Sequence, residues 1–126
     1  MSIQLEIHGD DSPAVREAAL AALEAVGLDD GHLAIAFVRP EQIAALNRDH
    51  RGKDGPTDVL SFPVDGAGPL VAGPRELGDV VICREQASDV VEAVVHGVLH
   101  LCGHDHETDD GEMLELQDSI VAGLSQ

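Results

Sequence analysis

The sequence predicts an α+β fold: a small mixed sheet of four strands packed by about four helices, with the chemistry on a central helix. Three observations lead there. Short apolar runs with strand character occur four times, segments with apolar residues at helical spacing occur about four times, and the two kinds are interleaved along the chain. No internal repeat, low-complexity segment or second hydrophobic unit divides the 126 residues, so 1–126 reads as a single domain.

Each element has a local cause. Ile3, Leu5 and Ile7 alternate, as in a half-buried strand. Ser12 and Pro13 open a helix as cap and first residue. Val15, Ala18, Ala19, Ala22, Leu23 and Val26 continue it, and Gly27 ends it. Residues 33–38 form a second strand. Pro40 opens a short helix with Ile43 and Leu46 on one face, stopping near Gly52. Residues 55–63 are a turn leading into a short strand, 63–74 a flexible loop rich in Gly and Pro, and 77–83 another strand. Asp89, with Glu92 three residues on, caps a helix that is apolar on most sides and therefore belongs at the centre. Gly103 is its stop. A last helix starts at Asp109-Asp110 and carries Met113, Leu116, Ile120 and Leu124 on one face.

Composition narrows the class. Phe37 and Phe62 are the only aromatic residues of the Phe, Trp and Tyr group, so Val, Leu, Ile and Ala must build the core. The formal net charge is −17, which repels nucleic acid and anionic membranes at long range. Yet Arg39, Arg48, Arg51 and Lys53, four of the seven basic residues, lie in one segment. That segment is either a solvated helix end or a local attractor for anions. Two cysteines, Cys83 and Cys102, make no disulfide framework and suit a reducing compartment. With no basic, apolar leader and no run of about 18 apolar residues, neither a secretory signal nor a membrane span is expected, and the expected location is the cytoplasm.

The segment H-G-V-L-H-L-C-G-H-D-H, 96–106, carries the chemistry. His96 and His100 are four apart on one helix, so their imidazoles share a face. After the turn at Gly103, His106 can reach the same point. Imidazole is a good ligand for zinc and other borderline ions. Three protein ligands leave a fourth position open, as at catalytic rather than structural zinc sites. A lone histidine in a core helix is usually only hydrogen-bonded, but two at this spacing plus a third beyond a glycine turn favour a metal. His104 could be a fourth ligand, a group beside the ligands or an exposed residue. Cys102 falls on another face and reads as a buried apolar residue. Asp105 or Glu107 could orient an imidazole or face solvent. His8, His32 and His50 lack metal spacing and receive no role.

The spacing H-x-x-x-H-x-x-G-x-x-H is that of metzincin peptidases, which need Glu directly after the first His as a base. Here Gly97 stands there and cannot move a proton. Met113 fits the core of the last helix better than a Met-turn.

Three blocks redirect the reading: L-N-R-D-H-R-G-K-D-G-P-T-D-V-L-S-F-P at 46–63, L-G-D-V-V-I-C at 77–83, and the histidine segment. In this order they resemble the YbeY family, bacterial endoribonucleases of ribosome maturation. The resemblance implies a metal-dependent hydrolase of single-stranded RNA, acting on 16S ribosomal RNA at its 3′ end and in ribosome quality control. It implies His96, His100 and His106 as ligands of one ion, zinc or alternatively nickel or another divalent metal, and Arg51 as the functional arginine that holds phosphate. It also implies small-subunit precursors as partners, with a small-subunit ribosomal protein and an Era-type GTPase.

These implications are chemically coherent. A metal polarises a phosphoryl oxygen and activates water, while a guanidinium binds phosphate bidentately and stabilises developing charge. Asp58, after the Pro56-Thr57 turn, either anchors that loop or orients a histidine. Arg39, Arg48 and Lys53 are candidate RNA contacts. The chain departs from the family in two ways: His104 replaces the usual Tyr, and the stretch between Cys83 and His96 is short, so a helix found there in relatives could be missing. The second hypothesis is a metal-stabilised ribosome-assembly factor with weak or secondary catalysis. It differs in predicting binding to small-subunit precursors after loss of a histidine ligand.

Overall fold

The structure, a computed structural model, describes residues 2–65, 75–104 and 109–124. Strands β1 (Ser2–His8), β2 (Asp30–Phe37), β3 (Val59–Pro63) and β4 (Glu76–Ile82) form one sheet in the order β1-β2-β4-β3. β1 and β4 run parallel to β2, and β3 pairs antiparallel with β4 at one edge. Helices α1 (Pro13–Ala25), α3 (Val90–Leu101) and α4 (Glu112–Leu124) pack together over one face of the sheet. Helix α2 (Pro40–Arg51) packs on the opposite face against β3. This is the mixed α+β architecture expected.

The main core joins Leu33, Ile35, Val80 and Ile82 of the sheet to Val15, Ala19 and Leu23 of α1 and to Val94, Val98 and Leu101 of α3. Seven of the twelve residues of α3 are buried, which makes it the central helix. Small alanines on α1 compensate for the missing aromatics by letting helices approach closely. A smaller cluster of Ile43, Leu60, Val81 and Cys83 lies under α2.

Strand β4 reaches both clusters by alternation, Val80 and Ile82 facing one and Val81 the other, and it carries a bulge. His32 pairs with Glu76 and Leu33 with Gly78, so Leu77 is an extra residue. The bulge shifts the alternation, and Leu77 therefore faces the same core as Val80 and Ile82. Gly78 has φ +138°, and a Cβ there would lie 2.4 Å from the Phe62 carbonyl oxygen. Only glycine fits that approach of β3 to β4.

Boundaries differ from expectation by two or more residues at two places. β2 begins at Asp30 rather than 33, because Asp30, Gly31 and His32 continue the ladder with β1 despite their polarity. α4 begins at Glu112, since the Asp109 carboxylate accepts from the Gly111 and Met113 amides at 2.8 and 3.0 Å and so caps it. Most of the expected loop 63–74 lies outside the described residues, and Pro63 itself ends β3. Among the described residues no helix is long and apolar enough to cross a membrane.

Candidate active site

The last turn of α3 determines the site. Its cap is Cys102, followed by Gly103 at φ +99°. The Gly103 amide donates to the His100 carbonyl at 3.0 Å and the His104 amide to the Leu99 carbonyl at 3.1 Å. This pair of bonds reverses the chain directly after the helix, using the left-handed conformation that glycine adopts cheaply. His96, His100 and His104 thereby line one cleft of about 800 Å³.

His96 and His100 stand side by side, ring centroids 4.6 Å apart and planes at 72°. Their orientation has a cause outside α3. The Gln117 side chain, 5% exposed on α4, accepts a hydrogen bond from His96 Nδ1 at 2.7 Å. With Nδ1 carrying the proton, Nε2 retains its lone pair, the form in which imidazole binds a metal. Gln117 occupies a core-facing position of an apolar stripe. A polar residue at such a position was the available sign that it had a partner, and the sequence reading missed it.

Close packing of α3 on the sheet places these rings. Gly97 has no room for a side chain: a Cβ would lie 2.6 Å from Val80 Cγ1 and 2.9 Å from Val59 Cγ2. The Ser61 hydroxyl on β3 donates to the Gly97 carbonyl at 2.7 Å. Gly97 therefore excludes the peptidase base for a second reason. The position points at the sheet, and a glutamate there would be buried among valines.

The opposite wall comes from α2 and the segment after it. His50, Arg51, Lys53, Thr57 and Asp58 line the same cleft, with Ser61 and Phe62 of β3 below them. α2 ends at Gly52 in the left-handed conformation, φ 67°. Buried Asn47 donates its amide to the Gly55 carbonyl at 3.0 Å, tying the segment beyond the helix to α2. Asp58 is held by its backbone: its carbonyl accepts from the Cys83 amide at 2.9 Å, joining the entry of β3 to the end of β4. The Thr57 hydroxyl donates to the Asp58 carboxylate at 3.4 Å.

Not every candidate joins the cleft. Arg39 caps α2 at its far end and lies 3.5 Å from Glu41, while Arg48 lies 3.7 Å from Asp49; neither lines the cleft. His106, Asp105 and Glu107 lie outside the described residues. Among the described residues no group of three His, Cys, Asp or Glu side chains is placed to hold a metal ion. Cys102 is partly buried and does not line the cleft, and burial pushes its thiol up to about 11, so it stays protonated near neutrality.

Residues 4–125 match the family model described as Endoribonuclease YbeY. This chain belongs to the YbeY family of endoribonucleases. The Endoribonuclease YbeY of Persephonella marina is 40% identical over 125 residues, covering 87% of this chain and 81% of its own length. That of Staphylococcus carnosus is 38% identical over 110 residues, 74% of this chain and 72% of its own. The solution structure of TM1509 from Thermotoga maritima matches with a TM-score of 0.56 and 29% identity, over 97% of this chain and 88% of that one. Within the family frame, the stretch between Cys83 and His96 holds only a short 3₁₀ turn, Arg84–Gln86, before α3 begins at Val90. His104 is half-buried on the cleft wall.

Proposed function

We propose that this chain is a metal-dependent endoribonuclease that cuts single-stranded RNA, with ribosomal RNA of small-subunit precursors as substrate. The observation that carries this reading is the pair His96 and His100, 4.6 Å apart on a cleft whose other wall carries Arg51 and Lys53. The donor set fits a borderline divalent ion such as zinc: two imidazoles on one helical face, one fixed by Gln117 in the tautomer a metal requires. His106 would complete the ligand set. When bound, such an ion supplies Lewis acidity for phosphodiester hydrolysis.

The rest of the chemistry falls to the chain's own groups. Arg51 pairs with the scissile phosphate and stabilises the charge that grows on its oxygens. Lys53 holds a neighbouring phosphate as a point charge. The Gln117 amide keeps the His96 ring from turning as substrate enters. Asp58 fixes the loop between the two basic residues and β3, and His104 closes the cleft beside the histidine pair. Arg39 and Arg48, away from the cleft, contribute to capture of RNA rather than to its positioning.

An acidic protein gains little RNA affinity from long-range attraction. Docking on a small-subunit precursor, including a ribosomal protein and an Era-type GTPase, would supply the remainder in the cytoplasm. The role proposed is maturation of the 16S 3′ end and ribosome quality control. The test is cleavage of a single-stranded oligonucleotide spanning that 3′ end. Activity should disappear on chelation, return with added zinc and be lost in Arg51→Ala. Cleavage that persists under chelation and in Arg51→Ala would overturn the reading.

A further inference from the structure

The cleft contains an aromatic pair to which nothing above gives a role. His50 and Phe62 meet edge to face, centroids 4.9 Å apart and planes at 75°. His50 is exposed on the penultimate residue of α2, next to Arg51, and both it and Phe62 line the cleft. We propose that the His50 imidazole, held in orientation by Phe62, is the stacking platform for a nucleobase next to the scissile phosphate. The proposal rests on the endoribonuclease reading and names how the same cleft grips its substrate.

The argument is one of supply and placement. Single-stranded nucleic acid is commonly held by stacking bases on planar side chains, because every base has a π face. The chain has no Trp or Tyr and only two Phe. Phe37 packs against the main core, with the Arg84 guanidinium 5.7 Å from its centroid, so it is committed elsewhere. His96, His100 and His104 occupy the histidine end of the cleft. His50 is the planar group beside the cations that would hold phosphate. A base and its phosphate are covalently linked, so a platform one residue from Arg51 lets both be held together.

The contact with Phe62 fixes the plane of the imidazole. A ring held this way is pre-organised for stacking, which lowers the entropy lost on binding.

The experiment titrates a single-stranded oligoribonucleotide, carrying a fluorescent purine analogue at successive positions, with wild type, His50→Ala and His50→Phe. Kinetics on the same RNA with added zinc accompany it. Wild type should quench the analogue at one position. His50→Ala should lose that quenching, bind roughly tenfold more weakly and raise KM with kcat largely kept. His50→Phe should retain quenching and affinity. His50 is exposed, so unchanged thermal transitions should certify both variants as folded.

Equal affinity and equal quenching in all three proteins would overturn the proposal while leaving cleavage intact. Loss of kcat in both variants at unchanged KM would also overturn it, in favour of proton transfer by His50. If no protein cleaves RNA but the quenching pattern holds, the hydrolase reading fails, and His50 stands only as a stacking platform beside a bound phosphate. If wild type does not bind the RNA, both fall.

Discussion

Gln117 shows how one side chain on a neighbouring helix can set the chemistry of another. Replacing it with Leu keeps the volume and removes the acceptor for His96 Nδ1. Zinc affinity, measured by competition with a chelator, should fall about 10- to 100-fold, as is usual when the group behind a histidine ligand is lost. An unchanged affinity would mean that the bond is only structural. Arg51 makes a contrasting case. It is exposed, so Arg51→Ala should leave the melting temperature nearly unchanged while lowering kcat about 10²- to 10³-fold, the usual scale for losing one charge-stabilising donor. Arg51→Lys should recover only part of the loss, because an ammonium lacks the planar fork. His96 and His100 were legible as candidates because their spacing on one helix implies them, and Arg51 because the resemblance of its block to the family implies it. Gln117 was not, because its partner is 21 residues away in the chain.

At the scale of elements, α3 lies close to β3 and β4 because Gly97 allows it. Two effects oppose each other in Gly97→Ala. Alanine improves helix propensity by about 1 kcal/mol. Its Cβ would fall 2.6 Å from Val80 Cγ1, an overpacking that typically costs about 1–3 kcal/mol. The second should win, giving net destabilisation of up to about 2 kcal/mol in urea unfolding. A stabilised variant would show that the helix moves freely over the sheet. Gly97 was legible as the absence of a peptidase base. That it is also a packing requirement needed the sheet, since β3 and β4 precede α3 in sequence and meet it only in the fold. The bulge at Leu77 was likewise hidden, because the local pattern does not reveal which residue of a ladder is extra.

Across the whole molecule, charge is the dominant surface property. Screening should relieve self-repulsion at a net charge of −17, so the melting temperature should rise as salt goes from about 10 mM to about 150 mM. One polar network crosses three strands against this background. His32 on β2 bonds Glu76 on β4 at 2.9 Å and Glu6 on β1 at 3.1 Å, and His8 also bonds Glu6. The Glu76 and Glu6 carboxylates raise the His32 pKa above its usual 6.5, and bonds from His8 and His32 hold Glu6 below its usual 4.5. The signs follow from linkage. The His32 contribution is complete below pH 6.5 and is lost as pH rises through its raised value. The Glu6 contribution is complete above pH 4.5 and is lost as pH falls through its lowered value. The stability difference between wild type and His32→Gln should therefore be largest between pH 4.5 and 6.5 and shrink on either side. A difference independent of pH would rule out the ionic network.

The order of strands and helices, the caps at Ser12 and Asp89, the burial of α3 and the turn at Gly103 follow from the sequence alone. Each depends on residues within a few positions of one another, where periodicity and backbone preference act directly. So does the pairing of His96 with His100, because helix geometry carries i to i+4. The strand order β1-β2-β4-β3, the bond from His96 to Gln117 and the meeting of His50 with Phe62 were decided only by the tertiary structure. Those contacts join residues far apart in the chain, and no local preference encodes which distant surfaces will pack. The cleft itself belongs to this second class, with its two walls on opposite faces of the sheet's β3 edge.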